Sequence, residues 1–214
     1  MAAMPRTEAT RLPELMSHDR ADLDRLLAST VVGHVGFIDD GHPVVLPTAV
    51  VYWDDQIVIH GSTGSRWLRA IAAGCPVSVS IAAINGVLIA RSAFESALLY
   101  RGAVLFGAFT PLTGTDKETA LDVLTDRIIP GRVAELRRPT AKELAATLLL
   151  AMPIRQWSMR ILDDWPDDPA DDVTGPAWAG QVRFGAPPLT VLDAPDLRPG
   201  IPAPSSAIAI TGIH

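Results

Sequence analysis

The sequence predicts a mainly β, α+β fold in which short antiparallel strands form a small barrel with peripheral helices. Two observations support this class: many short runs are rich in β-branched and aromatic residues, and turn residues separate these runs. Three such runs precede any substantial helix, which favours a barrel over a doubly wound sheet. With 214 residues, 48% of them hydrophobic, the chain is long enough for one domain with a sizeable core.

Charge and cysteine content exclude several classes of protein. The net charge is −6 and the sequence has no basic stripe, so nucleic acid is not an expected partner. Cys75 is the single cysteine, which rules out an intramolecular disulfide and a cysteine-rich zinc site. The sequence shows no signal peptide and no apolar run of about 18 residues, so we expect a cytoplasmic protein without a membrane segment.

The first part of the chain is predicted to hold an arm, a short helix and a three-stranded meander. Residues 1–16 are polar with two prolines, which is typical of an arm. Three leucines spaced i, i+3 and i+4 then predict a helix over residues 22–29. The predicted strands of the meander are 31–38, 43–53 and 56–61.

The middle of the chain is predicted to alternate a helix with a hairpin. The helix begins after Ser65 and ends at Gly74, because glycine followed by Pro76 stops a helix. The next strand reaches Asn85-Gly86, a dipeptide typical of tight hairpins, so we expect the chain to turn there and return. A further strand covers 99–109.

Two helices follow, over residues 116–128 and 140–152. The second begins with a capping box, in which Thr140 and Glu143 each satisfy a backbone N–H of the first turn.

Two last strands, 154–161 and 177–185, flank an acidic segment that contains six aspartates. Its prolines and the absence of EF-hand spacing favour a solvated loop over a metal site, so no metal is expected. The Pro-rich residues 186–214 are expected to form an extended arm on a neighbouring surface. The folded domain is therefore expected over residues 17–185.

The segment from His60 to Arg66 is the strongest candidate binding site. It leaves a predicted strand and enters a predicted helix, which brings free backbone N–H groups, hydroxyls and a guanidinium together. Such a group of donors predicts a phosphate cradle, although Ser65 as a simple helix cap and Arg66 as a solvated side chain remain an alternative. The residues assigned to the cradle are Gly61, Ser62, Gly64, Ser65 and Arg66.

The cradle belongs to neither of the common nucleotide-binding motifs, because GxxxxGK[ST] and a GxGxxG between strand and helix are both absent. We therefore expect a cofactor with its phosphate end at the strand–helix corner and its planar end along a neighbouring strand.

Several segments together resemble the pyridoxamine 5'-phosphate oxidase-like flavoproteins, closest to the branch of the nitroimidazole-resistance reductases. The segments are VVLPT (44–48), IHGSTGSRWLRAIAAG (59–74), NGVLIARSAFESALLYRG (85–102), PGRVAELRRPTAKELAAT (130–147) and PAWAG (176–180). The resemblance covers about residues 17–200 in the right order. It implies an FMN-binding split β-barrel of antiparallel strands with peripheral helices, which forms a homodimer with two cofactors at the interface.

The resemblance also implies roles for individual residues. Leu46, Pro47 and Thr48 would line the isoalloxazine ring, while Ser62, Ser65 and Arg66 would hold the phosphate. His60 would lie at the ring or ribityl side, with a hydrogen-bonded structural histidine as the alternative. The residues expected where the second subunit approaches or where the flavin is covered are Arg91, Ser92, Tyr100, Arg101 and Trp178, with dimer packing as the alternative for the two aromatic ones.

Two positions depart from the pattern of the family. Gly102 stands where relatives commonly have serine, and Met159 stands where they tend to have lysine before an arginine. Loss of the lysine could weaken flavin affinity, change the electron donor or admit a different ligand. Of the remaining histidines, His34 lies inside an apolar run and is expected to be a core residue.

The expected function is an FMN-dependent oxidoreductase that passes electrons from a reduced nicotinamide, NAD(P)H, to a small electrophile such as a nitroaromatic compound or a quinone. His60 and Thr48 are the candidate catalytic residues, with Thr48 as a hydrogen-bond donor to the flavin. Two alternatives remain: a non-catalytic dimer that carries or senses through flavin or heme, and a reductase that uses a deazaflavin.

Overall fold

The computed structural model describes residues 7–9, 11–185 and 205. The strands are β1 (Met16–Ser17), β2 (Val32–Asp39), β3 (His42–Ala49), β4 (Val51–Trp53), β5 (Gln56–Ser62), β6 (Val77–Ile89), β7 (Ala97–Gly107), β8 (Thr110–Pro111), β9 (Thr147–Pro153), β10 (Gln156–Leu162) and β11 (Gly180–Arg183). The helices are α1 (Arg20–Ser29), α2 (Arg66–Ala72), α3 (Gly114–Ile128), α4 (Ala141–Ala146) and α5 (Ala170–Val173), with 3-10 turns at Pro13–Leu15 and Val133–Glu135.

The chain divides into two compact units, each built from separate stretches of sequence. Unit 1 contains the described residues up to Thr48 together with Pro76–Gly107 and Ile154–Gly185. Unit 2 contains Ala49–Cys75 and Ala108–Pro153. The predicted domain over 17–185 is therefore made of two units that interleave along the sequence. The predicted C-terminal arm lies, apart from Ser205, outside the described residues, as does much of the predicted N-terminal arm.

Unit 1 is a seven-stranded antiparallel sheet with one helix on it. The strands follow the order β1-β10-β7-β6-β2-β3, and β11 pairs with β6. Helix α1 packs against β6 and β7, and its side of the sheet is apolar because alternate strand residues point to it. The buried side chains of this core include Leu23, Leu26 and Leu27 of α1, Val79 and Ile81 of β6, Leu105 of β7 and Met159 of β10.

Helix α1 forms where the leucine spacing predicts it. Its N-terminus is fixed by Asp19, whose carboxylate accepts a hydrogen bond from the N–H of Ala21 at 2.9 Å. All three leucines on its apolar face are buried, so the helix is held by packing as well as by its cap.

Unit 2 is a four-stranded antiparallel sheet in the order β4-β5-β9-β8, covered by α3. Its core consists of buried side chains from the sheet and from α3: Val58, Ala120, Leu149 and Ala151. Helix α3 confirms the predicted helix over 116–128, extended by two residues at its start.

The predicted three-stranded meander is wrong in one respect. The run 43–53 is two strands: β3 ends at Ala49 in the sheet of unit 1, and β4 begins at Val51 in the sheet of unit 2. Strand β5 therefore pairs with β4 and with β9, and lies in a different sheet from β2. The run is β-favouring throughout, so only the distant partner β9 reveals that the chain changes sheets.

The predicted helix over 140–152 is half wrong. The capping box of Thr140 and Glu143 is present, with Glu143 accepting from the Thr140 N–H at 2.7 Å, but the helix ends at Ala146. Residues Thr147–Pro153 form β9, which pairs with β5 along its whole length. Burial between β5 and β8 overrides the helix propensity of a leucine- and alanine-rich run.

The predicted hairpin at Asn85-Gly86 is also wrong. Strand β6 runs through this dipeptide with an irregularity in its pairing to β7. A Cβ at Gly86 would lie 2.3 Å from the carbonyl oxygen of Val182, so the glycine lets β11 approach the strand closely. The mainly β, α+β class is confirmed, and neither antiparallel sheet closes on itself, in agreement with a split barrel.

Candidate functional site

The candidate phosphate cradle forms the corner between β5 and α2 in unit 2, which we call the β5–α2 corner (residues 60–66). The strand ends at Ser62 and the helix begins at Arg66, as the sequence predicts. The expectation of free backbone N–H groups is wrong for three residues of the turn. Thr63 N–H donates to the Ala146 carbonyl at 2.9 Å, Gly64 N–H to Ser62 Oγ at 3.1 Å and Ser65 N–H to the Ser62 carbonyl at 2.9 Å.

The side chains of the corner keep donors that the turn does not use. Ser62 is exposed and its Oγ accepts from Gly64, which leaves its own O–H to donate outward. Ser65 occupies the N-cap position without making a side-chain capping hydrogen bond. Ser65 is thus the cap residue, as the alternative has it, but its hydroxyl makes no capping bond to the helix. Arg66 is exposed beside these hydroxyls, so the corner presents two hydroxyls and one guanidinium.

Gly61 has a packing reason to be glycine. A Cβ there would lie 2.4 Å from Cδ1 of Leu68, which is buried under the corner at 1% exposure. The glycine thus lets the end of β5 lie directly against α2, and it sets the spacing of the corner.

His60 is the first residue of the β5–α2 corner and is half-buried, and one of its ring nitrogens lacks a hydrogen-bond partner among the described residues. Its Nδ1 is buried and has no hydrogen-bond partner among the described residues, contrary to the alternative of a hydrogen-bonded structural histidine. Burial lowers the pKa of His60, so the imidazole is neutral at neutral pH. A neutral imidazole with an unsatisfied nitrogen is suited to a bound group that supplies the missing partner.

The predicted ring-lining residues lie on β3, the edge strand of the sheet in unit 1. Leu46 and Thr48 are half-buried on one face of the strand, and Pro47 is exposed on the other. Proline is tolerated here because an edge strand has N–H groups outside the ladder.

Arg91 is tied to the acidic segment by an ion pair with a buried carboxylate. Its Nη1 donates to Asp168 Oδ2 and its backbone N–H to Asp168 Oδ1, both at 2.9 Å. The Asp168 side chain is fully buried, so this aspartate is not part of a solvated loop as the sequence suggested. Ser92 also serves the local turn, because its Oγ accepts from the Glu95 N–H at 3.2 Å.

Arg101 and Trp178 occupy different surroundings in unit 1. Arg101 lies on β7 opposite Ala83 and Ile161, and its charge helps to lower the pKa of Asp22, after the larger effect of the hydrogen bond from Ser17. Trp178 is 64% exposed. A Cβ at Gly180 would lie 2.6 Å from its ring, so the glycine makes room for the indole.

The two departures from the family pattern have different structural settings. A Cβ at Gly102 would meet only ordinary contacts, 3.6 Å from the Tyr100 ring, so space does not demand glycine. Met159 is completely buried on the α1 side of the sheet and is a core residue. The neighbouring Arg160, which was not among the predicted site residues, lies opposite Gly102, and its Nε is buried without a partner in the described chain.

The expectation that His34 is a core residue is wrong. His34 is exposed on β2, directly opposite Ser80, whereas its neighbour Val35 is buried. The apolar run around it alternates between two faces, and His34 belongs to the outward one.

Two features are absent from the described part of the chain. No three acidic, histidine or cysteine side chains in that part of the chain are grouped as a metal site. No helix within the same residues has the length and apolar character needed to cross a membrane.

The comparisons with known proteins agree with this geometry. A model of the pyridoxamine 5'-phosphate oxidase family matches residues 19–161. The FAD and heme binding protein from Mycobacterium smegmatis is 47% identical, with a TM-score of 0.85, and the match covers 92% of this chain and 97% of that one. The flavocytochrome Anf3 from Azotobacter vinelandii is 28% identical, with a TM-score of 0.89 and 96% of each chain covered.

A putative 5-nitroimidazole antibiotic resistance protein from Bacteroides thetaiotaomicron shares the fold, at 14% identity, a TM-score of 0.56 and coverage of 68% of this chain and 86% of that one. No curated protein matches the sequence. Because the family model spans most of the chain and agrees with the motifs at 44–48 and 59–74, the chain belongs to the flavin-binding pyridoxamine 5'-phosphate oxidase-like family.

Proposed function

We propose that this protein is a flavin-dependent oxidoreductase that works as a homodimer. The flavin phosphate is held at the β5–α2 corner, and electrons pass from a reduced nicotinamide to a small electrophile such as a nitroaromatic compound or a quinone. A bound flavin supplies the redox chemistry, by accepting hydride and passing electrons on. The protein supplies anchorage, orientation and hydrogen bonds.

The observation that carries this proposal is the pair of hydroxyls at the β5–α2 corner that the turn does not use as donors. The outward O–H of Ser62 and the hydroxyl of Ser65, which makes no capping hydrogen bond, suit the oxygens of a phosphate ester, and the exposed Arg66 beside them adds positive charge. The buried Nδ1 of His60 has no partner in the described chain, so a bound group that reaches it would remove the cost of an unsatisfied nitrogen.

Two residues are assigned roles closer to the reacting atoms. Burial lowers the pKa of His60 and keeps its imidazole neutral, so the ring is available to accept a hydrogen bond or a proton beside the cofactor. The hydroxyl of Thr48, half-buried at the end of β3, is the candidate donor to the ring where negative charge accumulates.

The most similar relatives named above favour a second candidate function, in which the protein holds both a flavin and a heme. One is described as an FAD and heme binding protein and is 47% identical over 92% of this chain, and the other is a flavocytochrome. Their likeness also favours FAD over FMN as the flavin. In this form the protein transfers electrons between the two groups or carries them without turnover. A deazaflavin has no comparable support.

The proposed homodimer is supported by the outward face of the sheet in unit 1, on the side opposite α1. Five large apolar residues are 47% to 64% exposed on it: Val32, Ile38, Val45, Ile84 and Leu98. Exposed apolar area of this kind is typical of an interface, and a stable dimer buries at least about 1,200 Å². Light scattering at micromolar concentration should give the mass of two chains, and the mass of one chain would contradict the dimer.

The absorption spectrum of the purified protein tests the cofactor. Flavin bands indicate a flavoprotein, and chromatography of the released flavin distinguishes FAD from FMN. A Soret band indicates heme. Flavin-dependent oxidation of NAD(P)H, followed by reduction of a panel of electrophiles, tests turnover. A protein that neither retains nor takes up any flavin would contradict the proposal. Tight flavin binding without turnover would contradict the oxidoreductase and favour a protein that only carries its cofactors.

A pair of variants tests where the flavin binds. Ser62→Ala combined with Ser65→Ala should weaken flavin binding, because both hydroxyl donors are lost. Arg69→Ala is the matched control, since Arg69 is exposed on the same helix but one turn away from the corner. Equal affinities of all three proteins would move the phosphate away from the β5–α2 corner.

A further inference from the structure

The segment 130–147 between α3 and β9 is a family motif to which the proposed function assigns no role. Its 3-10 turn, Val133–Glu135, packs against α3. The Val133 N–H donates to Asp126 Oδ1 at 2.8 Å, and Arg138 Nη1 donates to Asp122 Oδ2 at 2.6 Å. Both carboxylates belong to α3, so these bonds hold the segment on that helix at two points.

A groove with a volume of about 110 Å³ lies between this segment and α3. Its apolar lining consists of Leu121 of α3 and of Val133, Leu136 and Pro139 of the segment. Thr125, which also lines the groove, donates its hydroxyl to the Leu121 carbonyl at 2.8 Å, so its methyl group remains for contact. Cofactor pockets usually measure about 300 Å³ or more, so this groove suits one or two aliphatic side chains instead.

The charged residues that line the groove are engaged in ion pairs. Arg137 pairs with Glu143 at 2.7 Å, and Arg138 pairs with Asp122 at 2.6 Å. A charged ligand would have to compete with these pairs, whereas an uncharged apolar chain leaves them intact. Leu136 is 46% exposed, so the docking of such a chain would remove its side chain from water.

A residue from the chain beyond Gly185 is bonded at the edge of this groove. Ser205 Oγ donates to Glu135 Oε1 at 3.0 Å. Glu135 is next to Leu136 and two residues from Val133, and both of these line the groove. The 20 residues from Gly185 to Ser205 can span up to about 66 Å at about 3.3 Å per residue, so the connection leaves ample length for the same chain to supply the segment.

We propose that residues 199–214 of the same chain dock into this groove, with Ser205 at its edge and Ile208 and Ile210 in its apolar part. The segment, PGIPAPSSAIAITGIH, contains four isoleucines and no Asp, Glu, Lys or Arg, which matches an apolar lining with paired charges. Ile208 is three residues from Ser205, or about 10 Å along an extended chain, so it can reach the groove. The two isoleucines are two residues apart, so an extended chain directs both to the same side.

Hydrogen–deuterium exchange of the full-length protein tests the docking. Ile208→Asp combined with Ile210→Asp should raise the exchange rate of the backbone amides in residues 121–139 by about tenfold, because burial of even one isoleucine is worth at least that factor. Ala209→Asp is the matched control. It adds a charge between the two isoleucines but on the opposite side of an extended chain, so it should exchange as the unmodified protein does. Amides of β6 and β7 in unit 1 should exchange equally in all of these proteins.

A synthetic peptide of residues 199–214 identifies the occupant. Added in excess to the double variant, it should restore the protection of residues 121–139, and a peptide that carries both aspartates should not. Circular dichroism of each variant should equal that of the unmodified protein, which verifies that the fold is retained. Equal exchange in the unmodified protein and the double variant would overturn the proposal, and so would an equally large effect of Ala209→Asp.

Chemical cross-linking decides whether the docked segment belongs to the same chain. In a Cys75→Ser background, Glu135→Cys with Ser205→Cys brings two thiols close together, and a short bismaleimide should join them within one chain. Arg69→Cys with Ser205→Cys is the control and should stay unlinked, since Arg69 is exposed on α2, which does not line the groove. A covalent dimer from the first pair would assign the groove to the segment of a second copy, and the absence of any link would show that the segment does not dock. Either result would overturn the proposal.

Discussion

Two arginine-bearing loops of this molecule, which the family resemblance assigns to one cofactor site, use their polar groups in opposite ways. In unit 1, Arg91 donates hydrogen bonds from its side chain and from its backbone N–H to Asp168, whose carboxylate is fully buried. In unit 2, three backbone N–H groups of the β5–α2 corner are bonded to Ser62 and Ala146, while the hydroxyls of Ser62 and Ser65 remain as donors.

The difference teaches that residue type and order do not show whether the polar groups of a loop are already paired within the fold. An arginine beside serines is common to both loops, but Arg91 is held by the fully buried Asp168 carboxylate, whereas the Ser65 hydroxyl of the β5–α2 corner makes no capping hydrogen bond. In the loop at 91–96, the pair of Arg91 and Asp168 links the chain after β6 to the acidic segment, and we call this pair the clamp. The following predictions test this contrast, from the largest expected effect to the smallest.

The clamp should be the more costly feature to remove. Asp168→Ala leaves the Arg91 guanidinium half-buried without its partner, so we expect the free energy of unfolding to fall by about 3 kcal/mol. Urea denaturation measures this effect, with the exposed Asp167→Ala as the control. Flavin affinity should change little; a large loss of affinity with unchanged stability would instead place Arg91 at the cofactor.

The corner should show the reverse behaviour. Arg66→Ala is expected to weaken flavin binding by about 1.5 to 3 kcal/mol, the value of a hydrogen bond to a charged group, with little effect on folding. Titration of the flavin-free protein measures the affinity. An affinity equal to that of the unmodified protein would make Arg66 a surface residue and would remove the contrast between the two loops.

The backbone of the corner can be tested through packing. Gly61→Ala places a Cβ 2.4 Å from Leu68 Cδ1 in a buried setting, so stability should fall by about 2 kcal/mol. Gly64→Ala is the control, because its Cβ would come no closer than 3.4 Å to Ser62 Oγ. Shortening the neighbour with Leu68→Val should recover part of the loss; no recovery would show that the strain lies elsewhere.

The smallest effect is a pH dependence from His60. Burial lowers its pKa in the folded state below the ordinary 6.5, so the unfolded chain binds the proton first as the pH falls. Stability from this residue is therefore present above pH 6.5 and is lost as the pH falls below it, until the lowered pKa is passed. His60→Gln should flatten this part of the stability curve in denaturation series, and an unchanged curve would assign it to other groups.

Local sequence signals predicted the elements whose causes lie within a few residues. The leucine spacing of α1, the capping box of α4 and the strand-to-helix corner at Ser62–Arg66 are all in place. Each depends on side chains within one or two helical turns, so the chain determines them before any distant contact forms. The family motifs are also local signals, because each is a short run of residues that can be read without knowing its distant contacts.

Distant partners decided the features that the sequence missed. Strand β9 exists because Thr147–Pro153 pairs with β5, and β6 passes through Asn85-Gly86 because β11 packs against it. Arg91 and Asp168 are 77 residues apart, so no spacing rule could join them.

The sequence by itself determined the family, the class of fold and the strand-to-helix corner at Ser62–Arg66. Only the tertiary structure decided which arginine is consumed by an ion pair and that His34 faces outward. The physical reason is that hydrogen-bond satisfaction and burial are properties of the assembled sheet, in which strands far apart in sequence become neighbours about 4.8 Å apart.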